Sequence, residues 1–121
     1  MLRNIHPDFN KISINGPREA VSVARAALLE EDEIDQDKEH LFAIGLDSDR
    51  RIKFLDLVCL GTMNSVSAHP RELFRRAVIE VAHSLVILHT HPTRDLIPSP
   101  SDIKLTQRCI AAGKILGIEV A

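Results

Sequence analysis

The segment His89-Thr-His91 is followed, after seven residues, by Ser99-Pro-Ser-Asp102, so two imidazoles, a hydroxyl and a carboxylate lie close together along the chain. Imidazole nitrogens and a carboxylate oxygen are ordinary zinc ligands. Three protein ligands leave a fourth position for water, as catalytic zinc requires and structural zinc does not. Such a set points to hydrolysis. Zinc lowers the pKa of a bound water to about 7, and a further carboxylate is the natural base to take its proton and return it to a leaving amine.

The elements that would position these groups are legible around them. Ser84-Leu-Val-Ile-Leu88 is a short apolar run suited to a buried strand. His89 and His91 fall at its C-terminal end, and alternation along a strand points both the same way. Pro92 and Pro98 rule out regular helix in the loop. Ser99-Pro100-Ser101-Asp102 then opens a helix, expected to run to about Leu116, that carries Asp102 back toward the imidazoles. Ser99-x-x-Asp102 also fits a capping box, in which hydroxyl and carboxylate satisfy free amides at the helix start; the histidines upstream favour the ligand reading. From spacing alone the base is open between Glu39, Glu72 and Glu80. His69 and His83 lack such company and read as structural.

The spacing His-Thr-His, seven residues, Ser99, two residues, Asp102 resembles the signature of the JAMM metallopeptidases, also called JAB or MPN. More narrowly, Gly61-Thr-Met-Asn-Ser-Val-Ser-Ala-His-Pro-Arg-Glu-Leu-Phe74, with the later His-x-His-Pro turn and Pro-Ser-x-x-Asp-Ile, resembles the bacterial RadC branch, over Ile14 to Ala121. The resemblance implies that His89, His91 and Asp102 bind zinc, that Ser99 helps stabilise an oxyanion, and that Glu39, at the start of a strand, is the base. It implies a metallopeptidase acting on an amide or isopeptide bond of a protein substrate, with an α+β, cytidine-deaminase-like architecture. Thr90 stands where the RadC branch usually has Asn, and Thr93-Arg94 where it has Ser-Gly. Family members continue past the segment matching Gly117–Ala121, so the domain reads as truncated before its C-terminal strands. An incomplete sheet edge could pair with a second copy of the chain. The label of RadC proteins as DNA-repair factors supplies the alternative, a non-catalytic interaction module. A scaffold would tolerate loss of Glu39, His89, His91 or Asp102, and the presence of all four favours the enzyme.

Composition bounds the rest. A chain of 121 residues, 45% hydrophobic, fits one domain with a real core; it is expected over residues 14–121, after a loose arm at 1–13. The net charge of −2 and a pI near 6.3 give no general attraction to nucleic acid, although Arg71, Arg75 and Arg76 cluster. Phe is the only aromatic, at 3% of residues, so base-stacking platforms are poorly supplied. Cys59 and Cys109 are isolated and no signal peptide is evident, which fits a reducing, cytoplasmic setting. No apolar run approaches the roughly 18 residues of a membrane span.

Before the motif, Pro17 starts a helix to about Leu29 with Val21, Ala24 and Leu28 on its apolar face, and Glu30–Asp37 reads as a solvated acidic loop. Glu39–Leu46 and Ile52–Leu60 read as a hairpin about Asp47-Ser-Asp-Arg50. His69-Pro70 precedes a helix with Leu73, Ala77 and Val81 on one face. This order predicts an α+β sandwich with a mixed central sheet flanked by helices.

Overall fold

A computed structural model describes residues 12–29, 39–61, 69–90 and 100–120, with backbone alone at a few positions inside its elements. Strands β1 (Glu39–Leu46) and β2 (Ile52–Gly61) form an antiparallel hairpin. Its turn is an Asp turn: the Asp47 carboxylate accepts the backbone N–H groups of Asp49 at 2.8 Å and Arg51 at 2.9 Å, and Arg50 takes a left-handed φ of 64°. Strand β3 (Ser84–Thr90) pairs antiparallel with the other edge of β1, and the short β4 (Glu119–Val120) pairs parallel with Ser84 and Leu85 of β3. The sheet is therefore mixed, in the order β2-β1-β3-β4. Helices α1 (Pro17–Leu29), α2 (Pro70–Ile79) and α3 (Pro100–Leu116) complete the expected α+β fold.

Period-two alternation divides the core into two layers, one on each face of the sheet. Phe42, Ile44, Leu46, Leu55, Leu57 and Val86 meet α1, and Leu41, Ala43, Phe54 and Leu85 meet α2 and α3. α1 presents Ala20, Val23, Ala24 and Ala27, while Val21, expected on the apolar face, is 43% exposed. The buried positions 20, 23, 24 and 27 form one i, i+3, i+4, i+7 stripe, and Val21 lies to its side. Val81 is the second correction. The helix stops at Ile79, Val81 follows with a φ of 54°, and its side chain is 79% exposed rather than packed with Leu73 and Ala77. Phe74 takes the place in the core instead.

The chain is tied down before Ile14. The backbone N–H of Ile52 donates to the Ile12 carbonyl at 3.0 Å, and Ser13 bridges Arg51, so the last residues of the expected loose arm are paired. Two irregularities interrupt the β1–β2 ladder, between Leu41 and Phe42 and between Gly45 and Leu46, where Val58 and Lys53 of β2 are passed over. Each is a bulge that resets the alternation. Gly45 lies directly under the Phe54 ring; a Cβ built there would come within 2.0 Å of it. Among the described residues no helix is long and apolar enough to cross a membrane.

Candidate functional site

The site is best followed from β3. Its odd-numbered residues Leu85 and Ile87 belong to the layer under α2 and α3, so His89, the next in that alternation, lies on the same face, half-buried at the C-terminal end of the strand. Opposite it in β1 is Leu41. Glu39, two residues before Leu41 and at the first position of β1, therefore occupies a diagonal register position on that face, by typical ladder geometry about 7–8 Å away between backbones.

Helix α3 brings a third element to this end. It joins two parallel strands, β3 and β4, and so runs back along the sheet antiparallel to β3. Its 17 residues span about 25 Å at 1.5 Å each, close to the length of β3, with 7 residues at about 3.3 Å each. The C-terminal turn of α3 is fixed beside the start of β3, where Gly113 accepts the Ile118 N–H at 2.9 Å. The first turn of α3, which includes Asp102, consequently lies toward the end of β3 that carries His89. Loops after the C-terminal ends of parallel strands are common sites of chemistry.

Of the expected residues, His89 is described with its side chain, Glu39 and Asp102 by backbone alone, and His91 and Ser99 fall outside the described residues. Among the described residues no group of three His, Cys, Asp or Glu is gathered so as to hold a metal ion. An imidazole at the strand end and the first turn of α3, which bears a carboxylate, approach each other from two elements, and both are donor types that zinc accepts. Glu80, one of the alternative bases, sits at the opposite end. It caps the C-terminus of α2 and is held by Arg76 at 3.0 Å. Glu72 is in the first turn of α2, nearer the His89 end, where its charge favours the helix N-terminus.

Three further histidines have definite positions. His69 caps α2, its Nδ1 accepting the Arg71 N–H at 3.1 Å. His40 was not singled out by sequence reasoning. It is fully buried beside Glu39 on the α1 face, pairs across with Thr90, and stacks on Phe42 with ring centroids 5.6 Å apart and planes 11° from parallel. Its position in the alternation with Phe42 and Ile44 was the available signal. His83 is exposed at the start of β3. It borders a cavity of about 410 Å³ with Lys114 and Glu119, at the far end from His89 and sharing no residue with the expected set.

The described residues form a four-stranded mixed sheet with helices on both faces, an α+β fold of JAB type. The family model of the RadC-like JAB domain matches residues 14–121, and the chain belongs to that family. A UPF0758 protein of Desulforudis audaxviator (strain MP104C) is 48% identical over 84 residues, 69% of this chain and 36% of that protein. A UPF0758 protein of Desulforamulus reducens is 43% identical over 93 residues, 77% of this chain and 41% of that protein. A UPF0758 protein of Syntrophomonas wolfei subsp. wolfei is 36% identical over 107 residues, 88% and 45% of the two chains. The chain thus spans less than half the length of these relatives.

Proposed function

We propose that this chain is a zinc-dependent hydrolase of amide or isopeptide bonds, acting on a peptide or an isopeptide-linked protein in the cytoplasm. The observation that carries the reading is the convergence of Glu39, His89 and the first turn of α3 on one end of the sheet, in a chain of the RadC-like JAB family. His89, His91 and Asp102 would hold the metal. Zinc, when bound, supplies Lewis acidity and brings the pKa of a coordinated water to about 7. Glu39 accepts a proton as water attacks the carbonyl carbon and delivers it to the departing amine nitrogen. The Ser99 hydroxyl donates a hydrogen bond to the oxygen that gains negative charge. The half-buried setting of His89 limits water around the imidazole.

The test begins with elemental analysis of the purified chain beside His91→Ala, followed by assays on peptide and isopeptide substrates with Glu39→Gln as control. Near-stoichiometric zinc that disappears in His91→Ala, with turnover lost in Glu39→Gln, is expected. Absence of zinc from both proteins after reconstitution would overturn the reading and return Ser99-x-x-Asp102 to the role of a helix cap.

A further inference from the structure

Charge is unevenly distributed over the fold. Helices α2 and α3 together carry six cations, Arg71, Arg75, Arg76, Lys104, Arg108 and Lys114, against the carboxylates Glu72 and Asp102, on a chain whose net charge is −2. Both helices pack on the same face of the sheet, through Leu73, Phe74 and Ala77 of α2 and Cys109 of α3.

Their orientation about their own axes follows from what each flank touches. On α2, Arg76 leans over Phe54 of β2, with its guanidinium carbon 5.2 Å from the ring centroid. That flank faces β2, so the opposite flank, with Arg71, Phe74 and Val78, faces α3. On α3, Ile110, Gly113 and Lys114 border the cavity beside β4. The opposite flank, with Lys104, Arg108 and Ile115, therefore faces α2. The outer seam between the helices is bordered by Arg71 and Arg75 on one side and Lys104 and Arg108 on the other, all exposed. Among the described residues no carboxylate pairs with any of these four; the ion pair on this face is Arg76–Glu80, on the other flank of α2.

Both helices run from the His89 end of the sheet toward the start of β3, so Arg75 and Arg108 lie near the middle of their helices and Arg71 and Lys104 toward the candidate site. Two helix N-termini add positive potential there. Farther along, the seam turns apolar, with Val78 52% and Ile115 86% exposed.

We propose that this seam is a docking groove for an acidic stretch of polypeptide, with carboxylates beside Arg71, Arg75, Lys104 and Arg108 and an aliphatic side chain against Val78 and Ile115. Each basic pair spans about 6 Å of helix, the reach of about two residues of extended peptide. The aliphatic end suits a polypeptide. The described residues of the seam offer no aromatic surface on which bases could stack, since Phe74 is buried, and single-stranded nucleic acid relies on such platforms. The inference deepens the proposed hydrolase reading and rests on it only in making the docked peptide a substrate.

Fluorescence anisotropy of the full chain with a labelled glutamate-rich peptide tests it, beside a glutamine-rich peptide of equal length and a single-stranded oligonucleotide of equal charge. The glutamate-rich peptide is expected to bind, more weakly as salt rises, and the glutamine-rich peptide to bind far less. Arg75→Glu with Arg108→Glu is expected to weaken binding at least about tenfold, a change of about 1.4 kcal/mol. Arg18→Glu with Arg25→Glu, on α1, is expected to leave it unchanged. Arg75→Gln with Arg108→Gln, which places no new charge on the helices, should lie between. No binding of the acidic peptide, equal loss in the α1 variant, or tighter binding of the oligonucleotide to the same residues would overturn the proposal. Because anisotropy is read without turnover, failure of the hydrolase reading leaves this result standing. Failure of docking in turn leaves cleavage of an uncharged peptide intact.

Discussion

At the end of the sheet where the hairpin turns, side chains and backbone are tied together by hydrogen bonds; at the opposite end lie Glu39 and His89, the described members of the proposed site. Asp47 holds two backbone amides, Arg50 Nε donates to the Ile14 carbonyl at 2.6 Å, and Lys53 Nζ donates to the Glu80 carbonyl at 2.8 Å. His83 N–H meets Leu46 O at 2.8 Å, and Glu119 N–H meets His83 O at 3.3 Å. This end joins β1, β2, β3, β4, α2 and the entry to α1. The other end begins with Glu39, closes with His89 and receives the first turn of α3. On the proposed reading, the hydrogen-bonded end is the anchor from which the residues of the other end are positioned.

The largest expected effect tests the reactive end. Glu39→Gln should lower turnover by about 10²–10⁴-fold, the usual contribution of a general base, with zinc content and melting temperature close to wild type. If it instead unfolds the chain, the division between the two ends fails. Gly45→Ala should act in the opposite sense, costing about 1–3 kcal/mol in urea unfolding as the new methyl displaces the Phe54 ring. Metal content should not change. Asp47→Ala removes the acceptor of two exposed turn hydrogen bonds and should cost about 1 kcal/mol. Loss of zinc in this variant would mean that the ends are coupled through β1.

The smallest effect is alkaline. Burial pushes the Cys109 thiol above its usual 9.0, with nearby Arg108 pulling it down. The unfolded chain therefore releases this proton first as pH rises. The contribution is fully present below about pH 9 and is lost through the rise to the folded value. Melting temperatures across that range should fall less steeply in Cys109→Ala than in wild type.

The sequence was most readable where one local rule acts alone. Asp47 and Arg50 mark a turn, the apolar run Leu41–Leu46 marks a strand covered on both faces, and Pro100 marks a helix start; each element lies where expected. It misled where packing chooses between residues of similar local preference. Val21 and Val23 have the same side chain, yet the rotation of α1 against the sheet buries Val23 with Ala20, Ala24 and Ala27 and leaves Val21 out. Val81 continues a helical spacing, but α2 has already ended and the backbone there is left-handed, which no hydrophobic count reveals. At the proposed site, the motif selects candidate residues because ligand chemistry restricts residue type severely. The long-range register that sets Glu39 diagonal to His89 depends on pairing between distant segments, so spacing could not separate Glu39 from Glu72 and Glu80.

The two bulges in β2 carry a consequence for how the length of this hairpin can vary through descent. Within a regular ladder, removing one codon turns every following side chain to the wrong face. Val58 and Lys53 are already passed over by the pairing. Loss of either would straighten the ladder and leave the facing pairs on both sides as they are. Single-residue shortening of β2 in homologues is therefore expected at these two positions and nowhere between them.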